Sequence, residues 1–584
     1  MHTIKFLAKY IKQYKKDTFL TWSFVLIESV LEVLIAYIMQ FLLTAVKNGQ
    51  LGGINGVYMF SGIIAIMALV ATGAGIGAGY FASSAAAGFS KNLREAMFVK
   101  IQEYSFKNID KFSTSSIVTR TTTDVTNVQN AFMMIIRMVL RAPFMMIFSL
   151  IMCFVTEWQL AWIFLIIIPV VLFFLLFIAK KVHPIFEKIF NTYDQLNASV
   201  EENVDGIRVV KSFNRANEQI SHFENVSSTI KKGFIRAEKI LSFNNPIMNL
   251  AVYAAMIAIS ILGANLITSS KGSDLSSEAL STLFTYIMMI LVSLMMMSLV
   301  YVMIIIAKNS AERIVEILQE EPDITSKENP LMEVTSSQVD FNNVSFAYNP
   351  PKNVLTNIDI HIPEGSMVGI IGPTGSSKTT LISLIARLYD VSEGSVQIGG
   401  HDVKDYDLKV LRDSVSVVLQ KNTLFSGTIR DNLKWGNLNA SDKEIWEACD
   451  VAQASEFLKT FKLGLDTPLD QGGTNVSGGQ KQRLCIARDL LKHPKILILD
   501  DSTSACDTHT DALIREALQN NHKEITKFII AQRVLSIKDC QIIIVLDQGK
   551  IIGMGTNDEL MNNCPMYKEL YESQLGGGDF DEAN

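Results

Sequence analysis

Six apolar stretches occupy the first half of the chain, separated by polar segments. They span Phe19–Val46, Val57–Ala85, Ile135–Phe154, Leu160–Ala179, Ile247–Ile267 and Leu280–Ala307. A helix of about 20 apolar residues crosses the roughly 30 Å hydrocarbon core of a bilayer. The pattern therefore predicts an α-helical membrane domain with about six transmembrane helices over residues 1–315.

The polar segments alternate in length and charge. Those at 47–56 and 268–278 are short and nearly free of basic residues, whereas Lys91–Arg120 and Lys180–Lys239 are long, helical in pattern and rich in lysine and arginine. Because basic segments stay in the cytoplasm, we expect both long segments and both termini there. The first 17 residues carry five lysines and no small-residue cleavage site, which predicts an amphipathic helix on the inner membrane face rather than a signal peptide.

Charged and methionine-rich positions inside the apolar stretches have alternative interpretations. Glu28 and Glu32 share one helix face, and they either line a substrate path that tolerates cations or hydrogen-bond neighbouring helices. Arg137 and Arg141 begin the third stretch, and we interpret them as snorkelling to the inner headgroups. The methionines of the last stretch form either a pliable surface for apolar ligands or ordinary packing, and we favour packing.

The pattern changes after Ala307. A charged helix continues and then breaks at Pro322 and Pro330, which predicts a linker over residues 316–338. From Val339 onward short strands alternate with helices, which predicts an α/β domain over residues 339–575. Residues 576–584 form an acidic end, which we expect to be a disordered tail.

Composition narrows the classes of partner. Hydrophobic residues make up 49% of the 584 residues and charged residues 19%, below the roughly one quarter that is typical of soluble domains. The net charge of −6 argues against nucleic acid as a partner. The six cysteines show no C-x-x-C spacing, so we interpret them as buried or idle reduced thiols.

A phosphate-binding loop lies near the start of the α/β domain. In MVGIIGPTGSSKTTLISLI an apolar strand, Met367–Ile371, enters a glycine-containing loop, and a helix starts near Lys378. Lys378 is placed to reach the β- and γ-phosphates of a nucleotide, and the Thr379 hydroxyl to bind Mg²⁺. Ser377 stands where the G-x-x-x-x-G-K-[ST] motif has glycine. If that position needs an unusual φ, its Cβ costs on the order of 1 kcal/mol, and we expect weakened or altered nucleotide binding rather than loss.

A second anion site follows at Val476–Gln480, VSGGQ, directly before a helix. The two motifs together resemble the ATP-binding cassette (ABC) family, whose signature is an LSGGQ-like stretch, and the resemblance covers the whole chain. It implies a type-1 exporter fold, a P-loop ATPase domain, and ATP and Mg²⁺ as cofactors. In that family two cassettes stack head to tail, and each ATP lies between the phosphate loop of one chain and the signature of the other.

The resemblance also implies site residues. Tyr348 corresponds to the aromatic residue that stacks on adenine, Gln420 to the glutamine that links the metal to the membrane domain, and Ser504–Asp507 to the loop between the paired sites. The metal ligands are Thr379, Gln420 and Asp500. The full set of nucleotide contacts is Tyr348, Gly372, Pro373, Thr374, Gly375, Ser376, Ser377, Lys378, Thr379, Thr380, Gln420, Ser477, Gly478, Gly479 and Gln480.

Two catalytic positions depart from the family pattern. Asp501 replaces the glutamate that acts as general base, and Gln532 replaces a histidine that contacts the γ-phosphate. A base displaced by about 1 Å loses roughly a hundredfold in rate, and glutamine cannot carry a positive charge. The signature is nearly regular. We therefore expect the degenerate subunit of a heterodimeric exporter in a bacterial cytoplasmic (inner) membrane, with a partner that carries the intact glutamate and histidine; the alternative is an active homodimer with neutral variants.

The expected function is export of drugs or other amphiphiles, with membrane lipid and an amphiphilic small molecule as partners. The alternatives are a lipid flippase or peptide exporter subunit, or an ATP-gated regulator or channel. The apolar stretches exclude a soluble ATPase. In the expected mechanism ATP binding closes the cassettes, the helix turns near Ser113–Val118 and Gly206–Val210 transmit this to the membrane helices, and hydrolysis at the partner's site resets the cycle.

Overall fold

The computed structural model describes residues 2–47, 49, 54–269, 275–501 and 506–576. The described residues form two compact units. One comprises Met1–Glu103 and Phe112–Glu320, and the other Tyr104–Lys111 and Glu321–Asn584. Residues 48, 50–53 and 270–274 of the two short predicted loops, Ser504 with Ala505, and the acidic tail from residue 577 lie outside the described residues.

Every regular element among the described residues of the first half of the chain is helical. A 3-10 turn at Ala8–Tyr14 and π-helical turns at Arg120–Asp124 and Ile135–Val139 interrupt the α-helices. The α-helices are α1 His2–Leu7, α2 Lys15–Lys47, α3 Ile54–Gln102, α4 Phe106–Lys111, α5 Thr114–Thr119, α6 Val125–Met134, α7 Leu140–Thr156, α8 Trp158–Asp205, α9 Ile207–Ser212, α10 Ala216–Leu241, α11 Asn244–Ser269 and α12 Ser277–Gln319.

Six helical segments among the described residues are long and apolar enough to cross a membrane, which confirms the predicted number. Helices α3 and α8 contain 49 and 48 residues. At 1.5 Å per residue each is about 70 Å long, more than twice the hydrocarbon thickness. These helices therefore continue far beyond the bilayer, as the long basic segments predicted.

A stripe of alanines is buried along one face of α3, and its last members, Ala82 and Ala85, pack with Ile136. Ala71, Ala74, Ala78, Ala82 and Ala85 of α3 are all at most 8% exposed, and they recur every three or four residues along one helix face. Such a face lets two helix backbones approach closely, which favours association in lipid. The alanines within the second apolar stretch therefore form one buried helix face.

Ion pairs hold the extended helices of this unit outside the predicted spans. Asp124, whose side chain is fully buried, accepts hydrogen bonds from Arg313 Nε at 2.7 Å and Nη2 at 2.6 Å. Arg120 Nη1 donates to Glu316 Oε2 at 2.7 Å. A buried carboxylate requires such a bidentate partner because an unpaired charge in the interior is costly.

The second unit is an α/β domain with two larger sheets. Its strands are β1 Val339–Phe346, β2 Leu355–Ile362, β3 Met367–Ile371, β4 Glu393–Ile398, β5 His401–Asp402, β6 Val415–Val418, β7 Gly427–Thr428, β8 Pro468–Leu469, β9 Ile496–Asp500, β10 Thr526–Ile530, β11 Ile542–Asp547 and β12 Lys550–Gly555. Its helices besides α4 are α13 Lys378–Ile385, α14 Leu408–Ser414, α15 Ile429–Leu433, α16 Asp442–Val451, α17 Ser455–Thr460, α18 Gly478–Leu490, α19 Thr508–Asn521, α20 Asn557–Asn563 and α21 Pro565–Gly576.

The six-stranded sheet has the order β12-β11-β3-β10-β9-β6, and the four-stranded antiparallel sheet has the order β2-β1-β4-β5. Strands β3, β9 and β10 are buried at every position and run parallel, with β10 between the other two. Ligands of open parallel sheets bind outside the carboxyl ends of the strands. The phosphate loop, Asp501 and Gln532 all lie beyond the carboxyl ends of these three strands.

Candidate functional site

The phosphate loop connects β3 to α13. Gly372 is required by a close approach, because a Cβ there would lie 2.0 Å from the Leu546 carbonyl oxygen. Gly375 has φ +86° and open space around it. Lys378 Nζ donates to the carbonyl oxygens of Gly372 and Pro373, at 2.8 Å in both cases. Burial lowers the pKa of Lys378, although Asp500 and Asp501 act in the opposite direction. The ammonium is thus held inside the loop, at the N-terminus of a helix, where a phosphate binds.

Ser377 adopts the conformation that glycine favours. Its φ is 76° and its ψ 26°, in the left-handed region, and its side chain makes no capping hydrogen bond to α13. Its carbonyl accepts the first helical bond, from Leu381 N–H at 3.0 Å. The condition under which its Cβ would be costly is therefore met.

Thr379 and Asp500 form an oxygen-rich corner beside the loop. Thr379 Oγ1 lies 3.0 Å and 3.2 Å from the two carboxylate oxygens of Asp500. Burial raises the pKa of Asp500, while the Thr379 hydrogen bond lowers it and neighbouring Asp501 raises it further. A hydroxyl and a carboxylate at the end of a buried strand are the oxygen ligands that Mg²⁺ prefers, so these residues fit a Mg²⁺ ion bound with ATP.

Asp501 is held by two side-chain amides. Gln532 Nε2 donates to Asp501 Oδ2 at 2.8 Å, and Gln420 Nε2 lies 3.5 Å from the same oxygen. The backbone of Asp501 has φ 49°, and its N–H donates to the Ile530 carbonyl at 3.0 Å. Burial raises the pKa of Asp501, and the two amides oppose that increase. Both departures from the family pattern, Asp501 and Gln532, are therefore in direct contact.

Tyr348 offers an accessible ring beside the same helix. The residue is 39% exposed, and its hydroxyl lies 3.1 Å from Thr380 Oγ1 on α13. Phe346 and Tyr389 hold it edge to face, at centroid distances of 4.8 Å and 5.1 Å. A rigid, half-exposed aromatic face is suited to stacking on a nucleobase.

The signature begins helix α18 as a capping box. Ser477 Oγ accepts from Gln480 N–H at 3.2 Å, and Gln480 Oε1 accepts from Ser477 N–H at 3.0 Å. Ser477 and Gly478 are exposed. Among the residues that the structure describes, no hydrogen bond joins 477–480 to the phosphate loop. The exposed helix N-terminus is thus presented for an anion.

Sequence reasoning missed the packing of α4 in the α/β unit. Tyr389 Oη donates to Asp110 Oδ2 at 2.6 Å, and Asn108 Nδ2 donates to the Glu321 carbonyl at 3.1 Å. The segment Tyr104–Lys111 belongs to this unit and lies just before the turn near Ser113–Val118 in the chain; the expected role of that turn in transmitting cassette closure stays a prediction. The sequence signal that could have indicated this packing is a short helix that lies between two long helices and is separated from both by breaks. The role of the second turn, Gly206–Val210, stays a prediction.

In the membrane unit Arg141 pairs with both glutamates of α2. Its Nη1 lies 3.0 Å from Glu28 Oε1 and its Nη2 2.7 Å from Glu32 Oε1. Snorkelling was therefore the wrong interpretation of Arg141: two carboxylates at membrane depth require a cation nearby, and Arg141 supplies it. Both glutamates therefore bond a neighbouring helix, and Glu28 also lines a cavity, so the substrate-path alternative stays a prediction.

Comparisons with known proteins agree with this geometry. The family described as "ABC transporter transmembrane region" matches residues 18–295, and the family described as "ABC transporter" matches residues 355–504. The chain is 34% identical to an uncharacterized ABC transporter ATP-binding protein, YfiB, of Bacillus subtilis over 89% of this chain and 90% of that one. It is 33% identical to an uncharacterized ABC transporter ATP-binding protein, Rv1273c, of Mycobacterium tuberculosis over 85% and 86%. A solved bacterial Atm1-family ABC exporter with ATP bound shares the fold, with a TM-score of 0.81 and 23% identity over 94% of this chain and 97% of that chain.

Proposed function

The chain belongs to the ABC transporter family as an exporter half-transporter, and we propose that it is the degenerate subunit of a heterodimeric bacterial exporter. In this proposal its own phosphate loop binds ATP with Mg²⁺ but hydrolyses it slowly. Its VSGGQ signature completes the hydrolytic site of a second, different half-transporter. The observation that carries the proposal is the contact of Asp501 with Gln532 at 2.8 Å.

That contact limits catalysis in two ways. The carboxylate of Asp501 is one methylene shorter than glutamate, and a general base must lie within hydrogen-bond reach of the attacking water. Gln532 occupies Asp501 Oδ2 as a neutral donor, so it supplies a hydrogen bond without the positive charge that a histidine can carry near the γ-phosphate. Each change removes part of the stabilisation of the transition state.

Nucleotide binding does not depend on these two residues. Lys378, Thr379 and Asp500 keep the arrangement expected of a phosphate and Mg²⁺ site, and Tyr348 supplies an adenine platform. We therefore propose that this site retains bound ATP in the resting transporter. Mg²⁺ would be held by Thr379, Asp500 and Gln420 and would neutralise phosphate charge there.

The intact capping box of the signature argues for a partner of a different kind. Ser477 and Gln480 present an ordered helix N-terminus, which serves the opposite site in the family arrangement. Two copies of this chain would combine sound signatures with two impaired bases. A partner with an intact glutamate and histidine would yield one efficient site.

The transported class is proposed to be amphiphilic small molecules, including drugs. The chain is proposed to lie in the bacterial inner membrane with both termini in the cytoplasm, because the long segments between the spans are basic. Lipid flipping, peptide export and ATP-gated regulation stay as alternatives that the same ATP site would serve.

The test is ATP hydrolysis by this chain alone and with its partner half-transporter, both in lipid nanodiscs. We expect hydrolysis well above background only in the heterodimer. Replacing the partner's catalytic glutamate by glutamine should abolish it, whereas Asp501→Asn should change it less than about threefold. Hydrolysis by this chain alone at the heterodimer's rate, lost in Asp501→Asn, would instead make Asp501 a working base.

A further inference from the structure

A cavity of about 900 Å³, wide open on one side, lies in the membrane unit between α2, α3 and the π-helical turn Ile135–Val139. Polar groups from all three elements line it, including Glu28, Ser83 and Arg137, beside the apolar surfaces of Ile76 and Tyr80. Its volume lies within the roughly 300–1,000 Å³ that is typical of sites for drug-sized ligands. A mixed wall of this kind selects ligands by the charge and hydrogen-bonding groups they carry.

One carboxylate oxygen on this wall has no partner. Glu28 is 7% exposed, and its Oε1 pairs with Arg141 at 3.0 Å. Its Oε2 is buried and, among the described residues, accepts no hydrogen bond. Arg141 is also bonded to Glu32, so it leaves the second oxygen of Glu28 without a donor. A buried acceptor without a donor costs about 1–3 kcal/mol, and more when it is charged.

Arg137 places a positive charge near Glu28 on the same wall of the cavity. Arg137 attracts Glu28 electrostatically, but within the described part of the chain its guanidinium makes no hydrogen bond or ion pair. A Cβ at Gly79 would lie 3.8 Å from Arg137 Nη1, and a Cβ at Gly75 would lie 2.9 Å from Glu28 Oε1. Residues 75 and 79 are one turn apart on α3, so Glu28 and Arg137 lie beside successive turns of that helix.

The net charge of this cluster is zero, because the two negative charges of Glu28 and Glu32 balance the two positive charges of Arg137 and Arg141. A ligand with only a positive charge would meet Arg137, and one with only a negative charge would meet Glu28. A ligand with both charges a few atoms apart satisfies the free oxygen and the free guanidinium together, without leaving a buried charge unpaired.

We propose that this cavity binds a zwitterionic amphiphile, with its ammonium group on Glu28 Oε2, its carboxylate or phosphate on Arg137, and its apolar part along Ile76 and Tyr80. The proposal rests on the proposed export function, for which it names the substrate class. An α-amino acid headgroup and an aminoethyl phosphate share the required chemistry. Arg141 acts here as a positioning residue that fixes Glu28.

The test uses three fluorescent probes of matched size. Nε-dansyl-lysine carries an ammonium and a carboxylate on one carbon; dansylcadaverine lacks the carboxylate, and 6-(dansylamino)hexanoate lacks the ammonium. Binding is measured by dansyl fluorescence on the full-length heterodimer in nanodiscs without nucleotide. We expect Nε-dansyl-lysine to bind at least about tenfold more tightly than either control, because each charged contact adds a charge-assisted hydrogen bond.

Variants separate recognition from a change in shape. In Arg137→Gln, Nε-dansyl-lysine should bind no more tightly than dansylcadaverine, whose own affinity should be unchanged. In Arg137→Lys, Nε-dansyl-lysine should keep most of its higher affinity. Arg94→Gln is the matched control, because Arg94 lies on α3 and bonds Ser90 and Thr126 instead of lining the cavity. Glu28→Gln should remove the advantage over 6-(dansylamino)hexanoate.

Equal binding of all three probes, or an advantage that survives Arg137→Gln, would overturn the proposal. A vesicle of phosphatidylethanolamine added as competitor distinguishes the sources of the headgroup, since displacement indicates a lipid and its absence a free solute. Because the assay contains no nucleotide, its result is independent of whether Asp501 hydrolyses ATP. Failure of the heterodimer proposal would appear only in the hydrolysis assay.

Discussion

Replacing Ser377 by glycine should stabilise the α/β unit without tightening ATP binding. A residue with a Cβ in the left-handed region costs roughly 1–2 kcal/mol, and Ser377 has φ 76°. Glycine removes that strain but adds roughly 0.5–1 kcal/mol of unfolded-chain entropy. The net gain is about 1 kcal/mol, which corresponds to a rise in melting temperature of about 2–4 °C for a unit of this size.

The strain should cancel in the binding equilibrium. The conformation of Ser377 is set by the start of α13, whose first bond runs from Leu381 N–H to the Ser377 carbonyl. Because this helix start belongs to the chain itself, the same φ is required with and without ATP. We therefore expect the Kd for ATP to change by less than about threefold, which departs from the sequence-based expectation that Ser377 weakens or alters nucleotide binding.

Melting can be followed through the cysteines. All six are free and buried, as predicted, and five of them, Cys449, Cys485, Cys506, Cys540 and Cys564, lie in the α/β unit. A thiol-reactive dye therefore reports mainly the unfolding of that unit in the full-length chain. Ser377→Ala, which keeps the Cβ, is the control and should melt like the wild type. An unchanged melting temperature in Ser377→Gly, or an equal rise in Ser377→Ala, would refute the reasoning.

Three further predictions follow from the same geometry. Burial raises the pKa of Asp500, so the folded chain binds its proton more readily than the unfolded chain does. Without Mg²⁺ the wild type should lose stability relative to Asp500→Asn as the pH rises above the unfolded aspartate pKa of about 4, and parallel melting profiles would contradict this. Tyr348→Ala should weaken ATP binding about tenfold, because base stacking contributes roughly 1–3 kcal/mol. Tyr348→Phe keeps the ring, so its Kd for ATP should stay within about twofold of the wild type. Both Kd values can be measured by titration with a fluorescent ATP analogue, and an equal loss of affinity in the two variants would argue against stacking. Arg141→Met should lower stability by about 3–5 kcal/mol, because it leaves two carboxylates unpaired. Adding Glu28→Gln and Glu32→Gln should restore most of the melting temperature, and a triple variant that melts no higher than Arg141→Met would contradict the ion-pair account.

Local patterns predicted the parts of the site that are contiguous in the chain. The strand Met367–Ile371, the loop and the helix starting at Lys378 lie where the sequence indicated, because a buried strand, glycines and an amphipathic run are each readable within a few residues. The capping box at Ser477 and Gln480 has the same origin. Six membrane helices follow from length and hydropathy alone.

Contacts between distant residues could not be read in this way. Asp501 and Gln532 are 31 residues apart in the chain and meet only because β9 and β10 pair in parallel register, with Ile530 opposite Asp500. Arg141 reaches Glu32 across 109 residues. Carboxylates at membrane depth are costly, so Glu28 and Glu32 could be expected to find partners, but their pairing with Arg141 required the packing of α7 against α2. Helix α4 was missed because its contacts depend on the tertiary position of Tyr389.

The most direct test of the degenerate site reports on this chain's ATP site alone. In the heterodimer the partner's catalytic glutamate is replaced by glutamine, and ATP hydrolysis is measured with wild-type Asp501 and Gln532 and with the Asp501→Glu, Gln532→His double variant. The account predicts background hydrolysis with the wild-type residues and a rise of about a hundredfold or more with the double variant. Substantial hydrolysis with wild-type Asp501, or a double variant that binds ATP but still fails to hydrolyse it, would contradict the account.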